Sequence, residues 1–206
     1  MAITAAAVKE LRDKTGVGMM ECKTALTEAD GNIEKAVELL RKKGMAKAAK
    51  KVGRATKEGL VFSYIHAGGK LGALVEIACE TDFVANTDGF TELAHNLAMQ
   101  IAATNPVSLD RDSIDEAIVE REINIFTDQA KSQGKPDNII EKMVEGRINK
   151  FYQESCLLDQ TYIKDSDKKV RDLITEIIST LGENISINRF VRFAIGESNP
   201  SSNGQV

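Results

Sequence analysis

The sequence predicts an α+β fold, with a small bundle of three helices followed by an antiparallel sheet that has helices packed on one face. Three observations carry this. Apolar residues recur at three- and four-residue steps through residues 1–52. The period falls to two from Leu60, through a strand, a Gly-Gly turn and a second strand. Helical spacing returns from Thr87 to Leu181, and one last alternating stretch closes the core.

The first helix opens at Thr4, a capping residue, and carries Val8 and Leu11 one turn apart. Thr15-Gly16-Val17-Gly18 breaks it. The second shows Met19, Cys22 and Leu26 at i, i+3 and i+7, and Asp30-Gly31-Asn32 ends it. The third shows Ile33, Val37 and Leu40, with Gly44 as its expected stop. So small a bundle is marginal alone and needs its neighbour. Gly44 to Glu58 is rich in Ala, Lys and Gly and reads as a partly helical linker.

Leu60-Val61-Phe62-Ser63-Tyr64-Ile65 is a strand by β-branched and aromatic content. Ala67-Gly68-Gly69-Lys70 turns the chain, and Leu71, Ala73, Val75, Ile77 and Cys79 share one face of the next strand. A helix from Thr87-Asp88 carries Phe90, Leu93, Leu97 and Ile101 and ends at Asn105-Pro106. Ser113 with Glu116 has capping-box spacing and opens a long helix to about Ser132. Asp137 opens another, with Ile140, Met143, Val144, Ile148 and Phe151 on one face. Ser166 is the expected cap of a helix carrying Val170, Leu173, Ile174, Ile177 and Leu181. Ile185, Ile187, Val191, Phe193 and Ile195 alternate as a closing strand, broken only by Arg189. The expected organisation is a bundle at 1–52, a linker at 53–58, a core at 59–196 and a disordered tail at 197–206.

Composition narrows the function. The chain has 206 residues, 27 Lys/Arg against 31 Asp/Glu, 3 Cys, 2 His and no Trp. A net charge of −4 argues against a surface given over to nucleic acid. The charge is uneven, however: residues 1–57 carry +6 and residues 58–206 carry −10. Cys22, Cys79 and Cys156 are widely spaced and read as packing residues of a reducing, cytoplasmic protein. The first residues lack the basic and apolar regions of a signal peptide, and no apolar run is long enough to span a membrane.

No phosphate-cradling loop, nucleophile elbow or metal-ligand spacing occurs. Gly16-Val17-Gly18 follows no strand and lacks the third glycine of a dinucleotide fingerprint. His66 and His95 are far apart in sequence and read as surface or half-buried residues. Catalytic residues, metal ligands and cofactors are therefore not expected.

Three features stand out, each with two readings. Arg41 to Lys57 holds eight basic residues and no acidic one. It is either a solvated linker or a patch that attracts nucleic acid or an acidic partner. Of Met19 and Met20, only one can face the bundle core, leaving an outward Met as a protein contact, unless both are half-buried. Thr81-Asp82-Phe83-Val84 follows the second strand. It is either a turn with Phe83 in the core, or a loop that presents Phe83 as a hydrophobic wedge beside an acid.

At these residues the chain resembles the bacterial elongation factor Ts family. The blocks are Val8-Lys9-Glu10-Leu11-Arg12 with Thr15-Gly16, Gly18-Met19-Met20, Cys22-Lys23 and Ala25-Leu26; Cys79-Glu80-Thr81-Asp82-Phe83-Val84-Ala85; Gly134-Lys135-Pro136 with Glu141-Lys142-Met143-Val144-Glu145-Gly146-Arg147; and Gly182-Glu183-Asn184-Ile185. Four blocks in order over most of the chain are far more specific than any one. The resemblance implies a ubiquitin-associated-like three-helix domain before the α+β core, and guanine nucleotide exchange on elongation factor Tu without catalysis of a chemical step. It implies that Thr81, Asp82, Phe83 and Val84 reach the partner's nucleotide pocket and disturb its magnesium and phosphate site. It implies that Val8, Arg12, Met19, Met20 and Lys23 dock on the partner's GTPase domain. Longer members carry a duplicated core and a coiled-coil insertion. Here one core half is visible, as in members that work as dimers, so a homodimer is expected.

Overall fold

The computed structural model describes residues 3–134 and 136–197. The expected disorder at 197–206 falls almost wholly outside them, as does Lys135 of the third family-like block. The chain divides into two compact units. One is built from the described part of Met1–Leu60, from Ile77–Leu93 and from Asp172–Ser186. The other is built from Val61–Glu76, Ala94–Arg171 and the described part of Ile187–Val206. The architecture is α+β, with N-terminal helices followed by an antiparallel-sheet core.

The three predicted helices form. Helix α1 (Ala5–Thr15) is capped by the Thr4 hydroxyl, which accepts from the Ala7 N–H at 3.2 Å, and it ends at Gly16 with φ 67°. Helix α2 (Met19–Glu28) follows Gly18, and α3 (Ile33–Ala49) is capped by Asn32. Val8, Leu11, Cys22, Ala25, Leu26, Ala36 and Leu40 make the bundle core. Gly44 does not stop α3, which runs on to Ala49. Its missing side chain serves packing instead: a Cβ there would lie 2.7 Å from the Ser179 Oγ. Ion pairs of Lys43 with Glu28 and Lys47 with Glu21 tie this stretch of α3 to α2.

Strand β1 (Glu58–Ile65) and strand β2 (Leu71–Cys79) form the predicted hairpin, turning through Gly68 and Gly69 at φ 91° and 67°. Gly59 permits a close approach of the strands, because a Cβ there would meet the Ile77 carbonyl oxygen at 2.1 Å. Strand β5 (Ile185–Ala194) completes a three-stranded sheet in the order β1-β2-β5. Ala73, Val75, Ile77 and Cys79 are buried, as the alternation predicts.

After the one-turn helix α4 (Asp82–Ala85), helix α5 (Asp88–Thr104) buries Phe90, Leu93, Leu97 and Ile101. His95 on α5 stands edge-on to Phe62 and Tyr64 of β1, with ring centroids 5.7 and 5.8 Å away. Helix α6 (Glu116–Ser132) is capped by Asp115 rather than by Ser113. The Ser113 hydroxyl donates to the Asp110 carboxylate at 2.7 Å and is used up there. Helix α7 (Asp137–Ser155) pairs with α6 as a helical hairpin, held in part by Arg147 lying over the Phe126 ring.

Ser166 does not cap a helix. It lies in strand β4 (Asp165–Lys169), which pairs antiparallel with strand β3 (Thr161–Tyr162), and helix α8 (Val170–Leu181) starts after it. No apolar alternation marks β4, so period alone could not reveal it. The fully buried Gln100 amide helps to hold this hairpin, donating to the Thr161 carbonyl at 3.1 Å and accepting from the Ile163 N–H at 2.9 Å. Among the described residues no helix is long and apolar enough to cross a membrane.

Candidate functional site: a clamped turn presenting Asp82 and Phe83

Strand β2 ends at Cys79, whose buried thiol donates to the Thr81 carbonyl at 3.1 Å. Burial first, and then the charge of Glu183, push this thiol's pKa up, so it stays neutral and serves packing. The chain turns at Thr81, which is extended at φ −134° and ψ 156°. Its hydroxyl accepts from the Val84 N–H at 3.5 Å and so starts the single turn of α4.

One carboxylate holds this corner. Glu183 Oε2 accepts from the Glu80 N–H at 3.0 Å and the Thr81 N–H at 2.9 Å. Glu183 Oε1 accepts from the Thr81 hydroxyl at 2.6 Å. The tie is returned, because Glu80 Oε1 accepts from the Asn184 N–H at 2.7 Å. Arg54 stands 3.5 Å from Glu80, and its carbonyl accepts from the Asn184 side chain at 2.9 Å. Thr56 bonds Ser186 at 2.9 Å. The expected linker at 53–58 is thereby fastened to the segment that carries Glu183.

The turn sorts its side chains by direction. Val84 points inward and is 9% exposed. Phe83, one position earlier, is 82% exposed. Asp82 is also exposed, and its carboxylate makes no hydrogen bond among the described residues. Of the two readings of Phe83, the buried one is therefore overturned, and Val84 takes the core position. Leaving a Phe in water forgoes roughly 1.5–3 kcal/mol of burial that a covering partner would recover.

The N-terminal candidates separate. Arg12, Met19, Met20 and Lys23 are exposed. Val8 packs in the bundle core. The expectation that one of the two methionines faces the core is corrected, since Met19 is 41% and Met20 73% exposed. The inward places of α2 go to Cys22, Ala25 and Leu26. Met20 lines a groove with Val17, Thr24, Leu40 and Gly44.

The other candidates lose weight. Lys43, Lys47 and Arg54 of the basic run are held in ion pairs, and Lys51 donates to the Gly182 carbonyl. Cys22, Cys79 and Cys156 are free and buried. His66 bonds the Tyr64 hydroxyl at 2.9 Å. Among the described residues no cluster of His, Cys, Asp and Glu is placed to hold a metal ion. Sequence reasoning missed Glu183, Glu80, Asn184 and Arg54 as parts of the site. The signals were the Cys79–Ala85 block, which holds Glu80, and the Gly182-Glu183-Asn184-Ile185 block; nothing in the sequence joined them, because the partners are about a hundred residues apart.

Fold and site together define a helical bundle joined to an α+β core that holds an aromatic in water on a fastened turn. Comparison with known proteins places that description. The family model for elongation factor Ts matches residues 3–197. The chain is 59% identical over 196 residues to elongation factor Ts of Nitratidesulfovibrio vulgaris, covering 95% of this chain and 98% of that one. It is 55% identical over 203 residues to that of a Thermoanaerobacter species, covering 98% and 100%. It is 56% identical over 197 residues to that of Geotalea daltonii, covering 96% and 91%. The chain belongs to the elongation factor Ts family. The general function of this translation factor family is guanine nucleotide exchange on elongation factor Tu.

Proposed function

We propose that this chain binds GDP-bound elongation factor Tu and promotes GDP release by disturbing the partner's magnesium and phosphate site, so that GTP can bind. The observation that carries the reading is the exposed Phe83 on a turn that is fastened at Thr81. Phe83 inserts among partner side chains, Thr81 and Val84 hold its base, and Asp82 acts beside the magnesium by charge. Magnesium offsets phosphate charge, so displacing it weakens nucleotide binding. By linkage, nucleotide weakens exchange-factor binding by the same factor. The chain needs no cofactor or metal of its own and does not bind the nucleotide itself.

Arg12, Met19, Met20 and Lys23 form the docking surface of the bundle, with Val8 supporting it from beneath. The working unit is a homodimer in a 2:2 complex in the cytoplasm. Supporting this, Val61, Ile65, Leu74, Phe193 and Ile195 expose apolar side chains. Ile65, Leu74, Phe193 and Ile195 line one shallow surface. A second copy would cover it. The competing reading, a nucleic-acid module built on residues 41–57, is weakened by the ion pairs that hold Lys43, Lys47 and Arg54, three of the eight basic residues of that run.

The test is stopped-flow release of a fluorescent GDP from elongation factor Tu. The parent is expected to accelerate release, and Phe83→Ala and Asp82→Ala to lose most of the acceleration while folding normally. Parent-like rates in both variants overturn the wedge mechanism. Sedimentation of the free chain decides between monomer and dimer.

A further inference from the structure

We propose that Glu183 is the positioning residue of the Asp82–Phe83 turn, orienting the wedge without touching the partner. The proposal rests on the exchange reading above. Three hydrogen bonds converge on this one carboxylate from Glu80 and Thr81, residues 103 and 102 positions away in sequence. Thr81 is the pivot. Its hydroxyl is bonded to Glu183 and also accepts from the Val84 N–H, so the direction of α4 follows the direction of Thr81.

The anchor is built to resist rotation. The Glu183 segment holds the Glu80 segment by two amides and a hydroxyl, and Glu80 holds the Asn184 amide in return. A single contact would leave the turn free to swing, whereas reciprocal contacts along two adjacent residues on each side do not. The arrangement brings two carboxylates into one network with Arg54 as the nearby cation, 3.5 Å from Glu80. Glu183 takes three donors at once, as a carboxylate's acceptor capacity allows. What it secures is a Phe83 already aimed before contact, so insertion spends little binding energy on ordering the turn.

Positioning predicts a particular kinetic split. Docking by the bundle does not depend on Glu183, but the step after docking does. Glu183→Ala is expected to lower the maximal rate of GDP release by up to about a hundredfold, the scale of a ~1 Å misplacement. The concentration giving half-maximal acceleration should change by less than about twofold. Glu183→Gln keeps an oxygen for the two amides and is expected to recover part of the rate.

The experiment titrates elongation factor Tu, loaded with fluorescent GDP, with the full chain, Glu183→Ala, Glu183→Gln and Phe83→Ala. Amide hydrogen exchange is read at Glu80, Thr81 and Val84, with Val75 and Ile77 as core controls. The expected result is faster exchange at the first three amides alone, with the split in rate and a graded Gln rescue. Loosened amides with a parent-like maximal rate overturn the proposal, as do amides still protected in Glu183→Ala. If Glu183→Ala unfolds, Glu183→Gln carries the kinetic half of the test: a maximal rate below the parent's supports the proposal, and a parent-like maximal rate overturns it. An active parent whose Phe83→Ala variant keeps full activity overturns the wedge reading instead, and the proposal with it.

Discussion

Gly44 packs against Ser179 so closely that a Cβ on Gly44 would lie 2.7 Å from the Ser179 Oγ and 3.2 Å from its Cβ. Two terms compete in Gly44→Ala. The helix interior gains about 1 kcal/mol from Ala, while crowding costs about 1–3 kcal/mol. The expected result is a small net loss, with the melting temperature down by a few degrees. Ser179→Ala removes the nearer atom and should restore part of the loss in the double variant. A calorimetric double-mutant cycle with no coupling between the two sites would sink the packing account.

Phe83 and Val84 are neighbours with opposite duties, and stability should separate them. Phe83→Ala removes an exposed ring and is expected to change unfolding free energy by no more than about 0.5 kcal/mol. Val84→Ala empties a buried position and is expected to cost roughly 1–3 kcal/mol. Urea unfolding of the two variants checks this. Equal losses would mean that Phe83 packs against the chain.

Glu76 supplies a pH-dependent contribution. Hydrogen bonds from the Asn188 amide at 2.8 Å and Arg189 at 2.6 Å hold its pKa below the usual glutamate value. A depressed folded-state pKa stabilises the fold above the unfolded-state value. That contribution is lost as the pH falls from the ordinary glutamate range through the depressed one. Glu76→Gln should therefore flatten the acid limb of a plot of urea midpoint against pH. Identical acid limbs in parent and variant would exclude the contribution.

Period was a sound guide wherever one face of an element met a continuous core. Helices α1 to α3, the Gly-Gly hairpin and α5 follow from spacing and capping residues alone. It failed at Gly44, Ser113 and Ser166, where a side chain or a missing side chain answers to a partner that the period does not register. Gly44 makes room for Ser179, the Ser113 hydroxyl is taken by Asp110, and Ser166 lies in a hairpin braced by Gln100. At Met19 it placed an apolar residue inward that the fold leaves outside, since Cys22, Ala25 and Leu26 already fill the small core.

The sequence by itself determined the class of fold, the order of its elements and the segment on which to look for function. It also held both readings of Phe83 without deciding between them. Tertiary structure decided that question, because whether a side chain is buried depends on what folds over it. Val84 is buried and Phe83 stands in water. Structure alone also shows the clamp, since hydrogen bonds between residues about a hundred positions apart leave no period in the chain.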